Sequence, residues 1–199
     1  MKCLVLFDFD GTLTSKDSFI AFLRSTNSSL KFFSGFIYLS PVLIFYKLGI
    51  IPNWKAKQIV IRFFYGGMGA EKFFQLCKNF SKKNIPLLVK ENAMKKLKEH
   101  LSAGHHVVIV TASLEPYMDE WCISLGVDLI GTRLEVADGK ITGRFNGGNC
   151  YGMGKAKRIS EKYPLDTFEK IIAYGDSRGD KEMLELADDK FYRAFRNQR

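Results

Sequence analysis

The sequence predicts an α/β fold, a parallel sheet carrying a separate block of helices. Three observations predict it. Apolar runs of strand length, Cys3 to Phe7, His106 to Ser113 and Lys170 to Tyr174, run into polar residues at their carboxyl ends. Helical spacing separates the later runs, and strands alternating with helices imply parallel strands with right-handed crossovers. No strand signal occurs between residues 15 and 104, where every apolar periodicity is helical. We therefore expect residues 1–15 and 87–199 to form the α/β core and residues 16–86 an all-helical insertion. At 199 residues, 46% of them hydrophobic, the chain is long enough for that arrangement and can fill its core.

The first strand ends in Phe7-Asp8-Phe9-Asp10-Gly11-Thr12-Leu13-Thr14. Alternate strand residues point the same way, so Asp8 and Asp10 can both face a site beyond the strand's carboxyl end. Open α/β sheets bind ligands there. Two carboxylates so close repel unless a proton or cation intervenes, which suggests Mg²⁺. Gly11 permits a turn close to a ligand.

The helical block opens at Asp17-Ser18, with Phe19, Phe22 and Leu23 at helical spacing, and breaks at Asn27-Ser28-Ser29. Residues 30–51 are the most apolar part of the protein. Lys31 and Lys47 bracket 15 uncharged residues, short of the ~20 needed to cross a bilayer, and Pro41 should kink or split them. Such a stretch is either a buried helix pair or a surface that meets membrane or an acyl chain. A helix restarts at Pro52-Asn53-Trp54, ends at Gly66-Gly67-Met68-Gly69, and is followed by another from Ala70 to Lys83. Pro86 opens a long amphipathic helix to Ala103, with Leu87, Leu88, Met94, Leu97 and Leu101 on one side and Gly104 as its terminator.

The strand at residues 106–113 leads to a helix from Glu115 to Leu125, closed by Gly126. A short strand follows at 127–131, then a hairpin from 132–136 to 140–145 around Ala137-Asp138-Gly139. Gly152 to Lys162 reads as a helix. The strand at 170–174 ends in Gly175-Asp176-Ser177-Arg178-Gly179-Asp180. A helix at 181–187 and a strand near Phe191-Tyr192 complete the order.

Net charge is +9, with the charges scattered and no basic arm, so a nucleic-acid partner is not expected. The four cysteines are far apart, without zinc or disulfide spacing, and read as free thiols of a reducing cytoplasm. The sequence opens on a strand, and no signal peptide is expected. Parallel strand ends lie on one edge, which gathers Asp8/Asp10, Thr111/Ser113 and Asp176/Asp180, with Lys155 near the start of a helix beside them. A carboxylate nucleophile, hydroxyls, a cation and a metal site together serve phosphoryl transfer.

These motifs resemble the haloacid dehalogenase-like superfamily. Asp8-Phe9-Asp10-Gly11-Thr12 matches its first motif, Val107 to Thr111 its second, Lys155 its third and Gly175-Asp176 to Asp180 its fourth, in order, across about the whole chain. The resemblance implies a Rossmann-like core with a helical cap and a Mg²⁺-dependent phosphatase. It implies that Asp8 is the nucleophile forming an aspartyl-phosphate and Asp10 the general acid and base. It gives Asp8, the Asp10 carbonyl and Asp176 to the metal, with Asp180 orienting Lys155 or the metal shell. Thr111 and the Ala112 amide would clamp phosphate, beside Ser113, while Lys155 neutralises charge.

The early helical insertion resembles the phosphoserine phosphatase-like branch. Asp17 stands where those enzymes carry a substrate-contacting Glu; as a residue it also reads as a helix cap. Gly179 departs from their usual Asn, and no cap arginine for a substrate carboxylate can be placed. The apolar stretch, Trp54, the glycine-rich break and Asn149-Cys150-Tyr151-Gly152 resemble phosphatidylglycerophosphatase C-like members, which implies a lipid phosphate and peripheral contact at the inner membrane surface. The alternatives are a small soluble phosphate, a phosphotransferase, or a membrane-surface binding protein on a degenerate scaffold. The oligomeric state stays open.

Overall fold

The computed structural model describes residues 2–196. Six strands form one sheet in the order β4-β3-β2-β1-β5-β6. They are β1 (Cys3–Phe7), β2 (His106–Leu114), β3 (Asp128–Ala137), β4 (Lys140–Asn146), β5 (Lys170–Gly175) and β6 (Asp189–Tyr192). Every pairing is parallel except the β3–β4 hairpin. The first strand is central and wholly buried. Its Cys3, Val5 and Phe7 enter the core on one face of the sheet, and Leu4 and Leu6 the core on the other, as a period of two requires.

Five helices occupy residues 18–83: α1 (Ser18–Thr26), α2 (Ser29–Tyr38), α3 (Ser40–Lys47), α4 (Asn53–Tyr65) and α5 (Ala70–Lys83). Asp17 and Ser28 cap the first two by accepting from the Ile20 and Lys31 amides. An aromatic nucleus of Phe22, Tyr65, Phe73 and Phe80 joins α1, α4 and α5 and continues onto Tyr117 of the core. The α2–α3 pair bends by 57° at Leu39, just before Pro41. No single helix among the described residues is long and apolar enough to span a bilayer.

That pair is not the buried one the sequence allowed. None of the α3 side chains is buried. Leu30 is 81% exposed, Ile37 74% and Leu48 67%. Hydropathy reports that a segment wants an apolar neighbour; it does not say whether the chain itself supplies one.

Three other elements differ from the sequence reading. The helix expected over 86–103 is two, α6 (Ile85–Leu88) and α7 (Glu91–Ser102), because Val89 is extended and bridges Thr14. Ser15 donates to the Leu88 carbonyl and Lys90 to the Leu13 carbonyl, so the chain leaves and rejoins the core side by side. Leu87 consequently faces solvent rather than continuing an apolar stripe. The expected 127–131 and 132–136 strands are one, β3. The helix expected from Glu115 is a single 3₁₀ turn (Glu115–Tyr117) followed by α8 (Asp119–Leu125).

The glycine-rich break at 66–69 makes the second contact between helices and sheet. Gly67 and Ala70 donate to the Ile141 and Gly139 carbonyls, and Ile141 donates to Met68. The remaining helices are α9 (Met153–Lys162) and α10 (Lys181–Glu185), packed on the opposite sheet face.

Candidate active site

The carboxyl end of β1 passes into one wide helical turn, Phe9–Leu13, whose Gly11 has φ +89°. A β-carbon there would also lie 2.6 Å from Asp176 Oδ1, so both the backbone angle and the space demand glycine. The turn brings Thr12 back over Asp8, and the Thr12 hydroxyl donates to Asp8 Oδ2 at 2.8 Å. Lys155, fully buried near the start of α9, donates to Asp8 Oδ1 at 2.5 Å, to Asp180 Oδ1 at 2.7 Å and to the Val110 carbonyl at 2.8 Å. All three of its protons are used.

Asp180 is the hub of the fourth motif. Its Oδ2 accepts from the amides of Asp176 and Ser177 and from the Ser177 hydroxyl. Carboxylate oxygens of Asp8, Asp176 and Asp180 lie within 4.8 Å of one another. Hard oxygen donors at that spacing suit magnesium. Asp180 accepts four hydrogen bonds, three of them on Oδ2, whereas Asp8 accepts one at each oxygen and keeps lone pairs to spare, and Asp176 keeps one oxygen free beside its 3.0 Å pairing with Arg196. The donor set thus fits a cation held by Asp8 and Asp176, with Asp180 fixing the lysine and the loop.

The electrostatics agree with that fit. Burial and the nearby Asp180 raise the Asp8 pKa to about 7, against the pull of Lys155. Burial opposes ionisation of Asp180 as well, but Lys155 and the Ser177 donors hold its pKa below the usual value. One ammonium serves two carboxylates, and Asp180 has the better share. Asp8 is left short of positive charge, which a divalent ion would supply. Lys155 would be neutralised by burial, yet Asp8 and Asp180 outweigh that and keep it protonated.

Asp10 faces elsewhere. Its Oδ1 accepts from the Ser18 amide at 2.7 Å, and its Oδ2 from Ser113 Oγ at 2.5 Å and Ser18 Oγ at 3.0 Å. Tyr117 completes the cluster, 3.2 Å from Ser18 Oγ. Burial, then Asp17, raises the Asp10 pKa, and the serine donors moderate it. Asp10 is therefore a carboxyl that holds its proton longer than an exposed one, at the foot of α1. Thr111 is fully buried at the end of β2, where its Oγ1 accepts from the Ser113 amide and keeps its own proton available.

The structure thus brings Asp8, Lys155, Asp176 and Asp180 into one cluster with Thr111 and Asp10 at its edge. Asp17 serves as the α1 cap. Sequence reasoning missed Thr12, Ser18, Tyr117, Lys90 and Arg196. Lys90 sends its ammonium to the Gly11 and Thr12 carbonyls. Only Thr12, inside the first motif, carried a sequence signal. At Gly179 the Tyr151 ring occupies the place that a side chain would take.

Known proteins share this fold. The family model for haloacid dehalogenase-like hydrolase matches residues 5–185. Protein CicA of Caulobacter vibrioides is 38% identical over 195 residues, 97% of this chain and 86% of that protein. A protein of unknown function from Bordetella pertussis Tohama I shares the fold with a TM-score of 0.79 at 24% identity, covering 94% of this chain and 87% of that one. The phospho-aspartyl intermediate analogue of a phosphoserine phosphatase superposes with a TM-score of 0.63 at 20% identity, over 94% and 83%. The chain belongs to the haloacid dehalogenase-like hydrolase family.

Proposed function

We propose that this protein is a magnesium-dependent phosphomonoesterase of the cytoplasm that works through an aspartyl-phosphate and takes a lipid phosphate, such as phosphatidylglycerol phosphate, at the inner membrane surface. The observation that carries the chemistry is the unlike treatment of two neighbouring carboxyls. Asp8 lies against Lys155 and beside Asp176, while Asp10 is turned toward Ser18 and Ser113. Paired carboxyls in different surroundings divide nucleophile from acid.

Asp8 attacks phosphorus in line and becomes the aspartyl-phosphate. Asp10 gives its proton to the leaving oxygen, then takes one from the water that hydrolyses the intermediate. Ser18 and Ser113 aim its carboxyl. The Thr111 hydroxyl and Ala112 amide hold phosphate oxygens, and Lys155 balances the charge that grows on them. Asp8, the Asp10 carbonyl and Asp176 would hold magnesium. When bound, the ion neutralises the phosphate and fixes its approach to Asp8.

Residues 16–86 act as a cap over this site. Its outward α2–α3 face, with Phe33, Ile37, Tyr38, Ile44 and Leu48, supports a lipid substrate: patches of this kind mark membrane or partner contact. The phosphoserine alternative rests on the names of several structural neighbours and of a relative 29% identical over 100 residues, and Tyr151 above Gly179 weighs against it.

The test is phosphate release with Mg²⁺ from p-nitrophenyl phosphate, phosphoserine, sugar phosphates, nucleotides and phosphatidylglycerol phosphate in micelles. The lipid should have the highest kcat/KM. Equal values for a soluble phosphate would remove the lipid part of the proposal. No release from any of them would remove the phosphatase.

A further inference from the structure

The three carboxylates of the metal cluster pair with two cations, and the two are held very differently. Lys155 is buried, spends all three protons and would strand Asp8 and Asp180 if it left. Asp176 has Arg196. One guanidinium nitrogen lies 3.0 Å from Asp176 Oδ2, and among the described residues nothing else donates to that carboxylate. The arginine side chain is 53% exposed. Water competes with such a pair, so it contributes little to stability and opens easily.

The backbone that carries Arg196 is nonetheless fixed. After β6 the chain turns at Arg193, whose φ of +60° lies in the left-handed region that residues other than glycine seldom take. The Arg193 amide donates to the Gly175 carbonyl at 2.7 Å, and its Nε to the Asp176 carbonyl at 3.4 Å. Phe195 is buried, its ring stacked on Tyr174 with 5.3 Å between centres. Residues 193–196 thus wrap the end of β5, and the Arg196 side chain is the loose end of the wrap. A hollow of about 400 Å³ adjoins it, lined by Gly11, Ser15, Lys90, Asp176 and Phe195 as well as Arg196. None of the five cap helices lines this hollow. It gives the guanidinium room to swing away from Asp176 without any movement of the cap.

We propose that Arg196 is a built-in counter-ion for Asp176 that magnesium must displace, so that the turn after β6 sets how much magnesium the site requires. This rests on the magnesium site of the function proposed above and adds what guards it. A divalent ion and a guanidinium on one carboxylate repel each other. Of the two cations already present, Lys155 is locked in and Arg196 is the one that water can take back. Asp176 therefore keeps a positive partner at all times, and the site holds magnesium less tightly than its carboxylates alone would.

The experiment measures Mn²⁺ binding by electron paramagnetic resonance at low salt, with Mg²⁺ as competitor, in wild type, Arg196→Gln, Arg196→Lys and, as the blank, Asp176→Asn. Arg196→Gln should bind the ion roughly 3- to 10-fold more tightly, the scale of removing a like charge beside a solvated site. Arg196→Lys keeps the charge and should stay near wild type, and added salt should narrow the gap. By linkage the ion should also loosen the pair. Labelling of Arg196 by phenylglyoxal, read by mass spectrometry against the other arginines, should therefore run faster with Mg²⁺ than without. Unchanged or weaker affinity in Arg196→Gln would make the arginine an anchor of the turn and overturn the inference, as would labelling that Mg²⁺ slows or leaves alone. Wild type binding no more Mn²⁺ than the blank would remove the metal site from the proposed function, and the inference with it.

Discussion

Lys155 is the residue on which the site depends, because one buried ammonium compensates two buried carboxylates. Lys155→Met would leave both uncompensated. Breaking a buried pair in this way costs about 3–5 kcal/mol. We expect a loss of that size in urea unfolding of the metal-free protein, and a smaller one in saturating Mg²⁺, where the ion replaces part of the charge. A loss that ignores Mg²⁺ would separate the lysine from the metal site. Asp8→Asn keeps the shape of the side chain and removes the nucleophile. Phosphate release should fall at least about a thousandfold with the circular dichroism spectrum retained. Asp8, Asp10, Lys155, Asp176 and Asp180 were legible in the sequence because each sits at a fixed offset from a strand end or helix start. Ser18 and Tyr117 were not. Their meeting at Asp10 depends on α1 folding down against β2, a long-range event that leaves no local pattern.

At the scale of elements, α7 and β5 share an ionisable contact. His100 Nε2 meets the Tyr174 hydroxyl at 3.0 Å, and its Nδ1 meets His105 Nδ1 at 2.9 Å. Burial, then His105 and Lys96, pushes the His100 pKa down to about 4. The unfolded value is about 6.5. The folded value is the lower one, so the unfolded chain takes the proton more readily. The stability this contributes is full above about pH 6.5 and is lost as pH falls toward 4. In His100→Gln the denaturation midpoint should change less across that window; an unaltered profile would rule out His100 as its source. Gly35 sets a second contact, since a β-carbon there would lie 2.6 Å from Phe64 Cζ. Gly35→Val should part α2 from α4 and lower the thermal midpoint by several degrees. Strand order and most helices were readable from period and punctuation. The split of the expected 86–103 helix was not, because Thr14, 75 positions earlier, claims the backbone at Val89.

Across the whole molecule, a net charge of +9 accompanies an apolar outer face on the cap. Anionic vesicles answer both features. The protein should cosediment with phosphatidylglycerol vesicles more than with zwitterionic ones, and salt should weaken this without abolishing it. Ile37→Ser with Leu48→Ser should reduce the partition by roughly tenfold or more. Unchanged sedimentation would mean that this face meets something other than lipid.

The paired backbone at Thr14 and Val89 has a consequence for how such a protein is assembled from genetic parts. A segment that departs and returns through neighbouring residues leaves the host's path unchanged whatever its length, because the two cut ends already touch. The coding stretch between Ser15 and Leu88 is therefore a natural unit of exchange: another helical block that keeps Ser18 on Asp10 and the Gly67–Ala70 contact with the β3–β4 hairpin could be spliced into the same scaffold without disturbing the strand order beneath it, and selectivity would be inherited by exchange rather than by gradual resculpting.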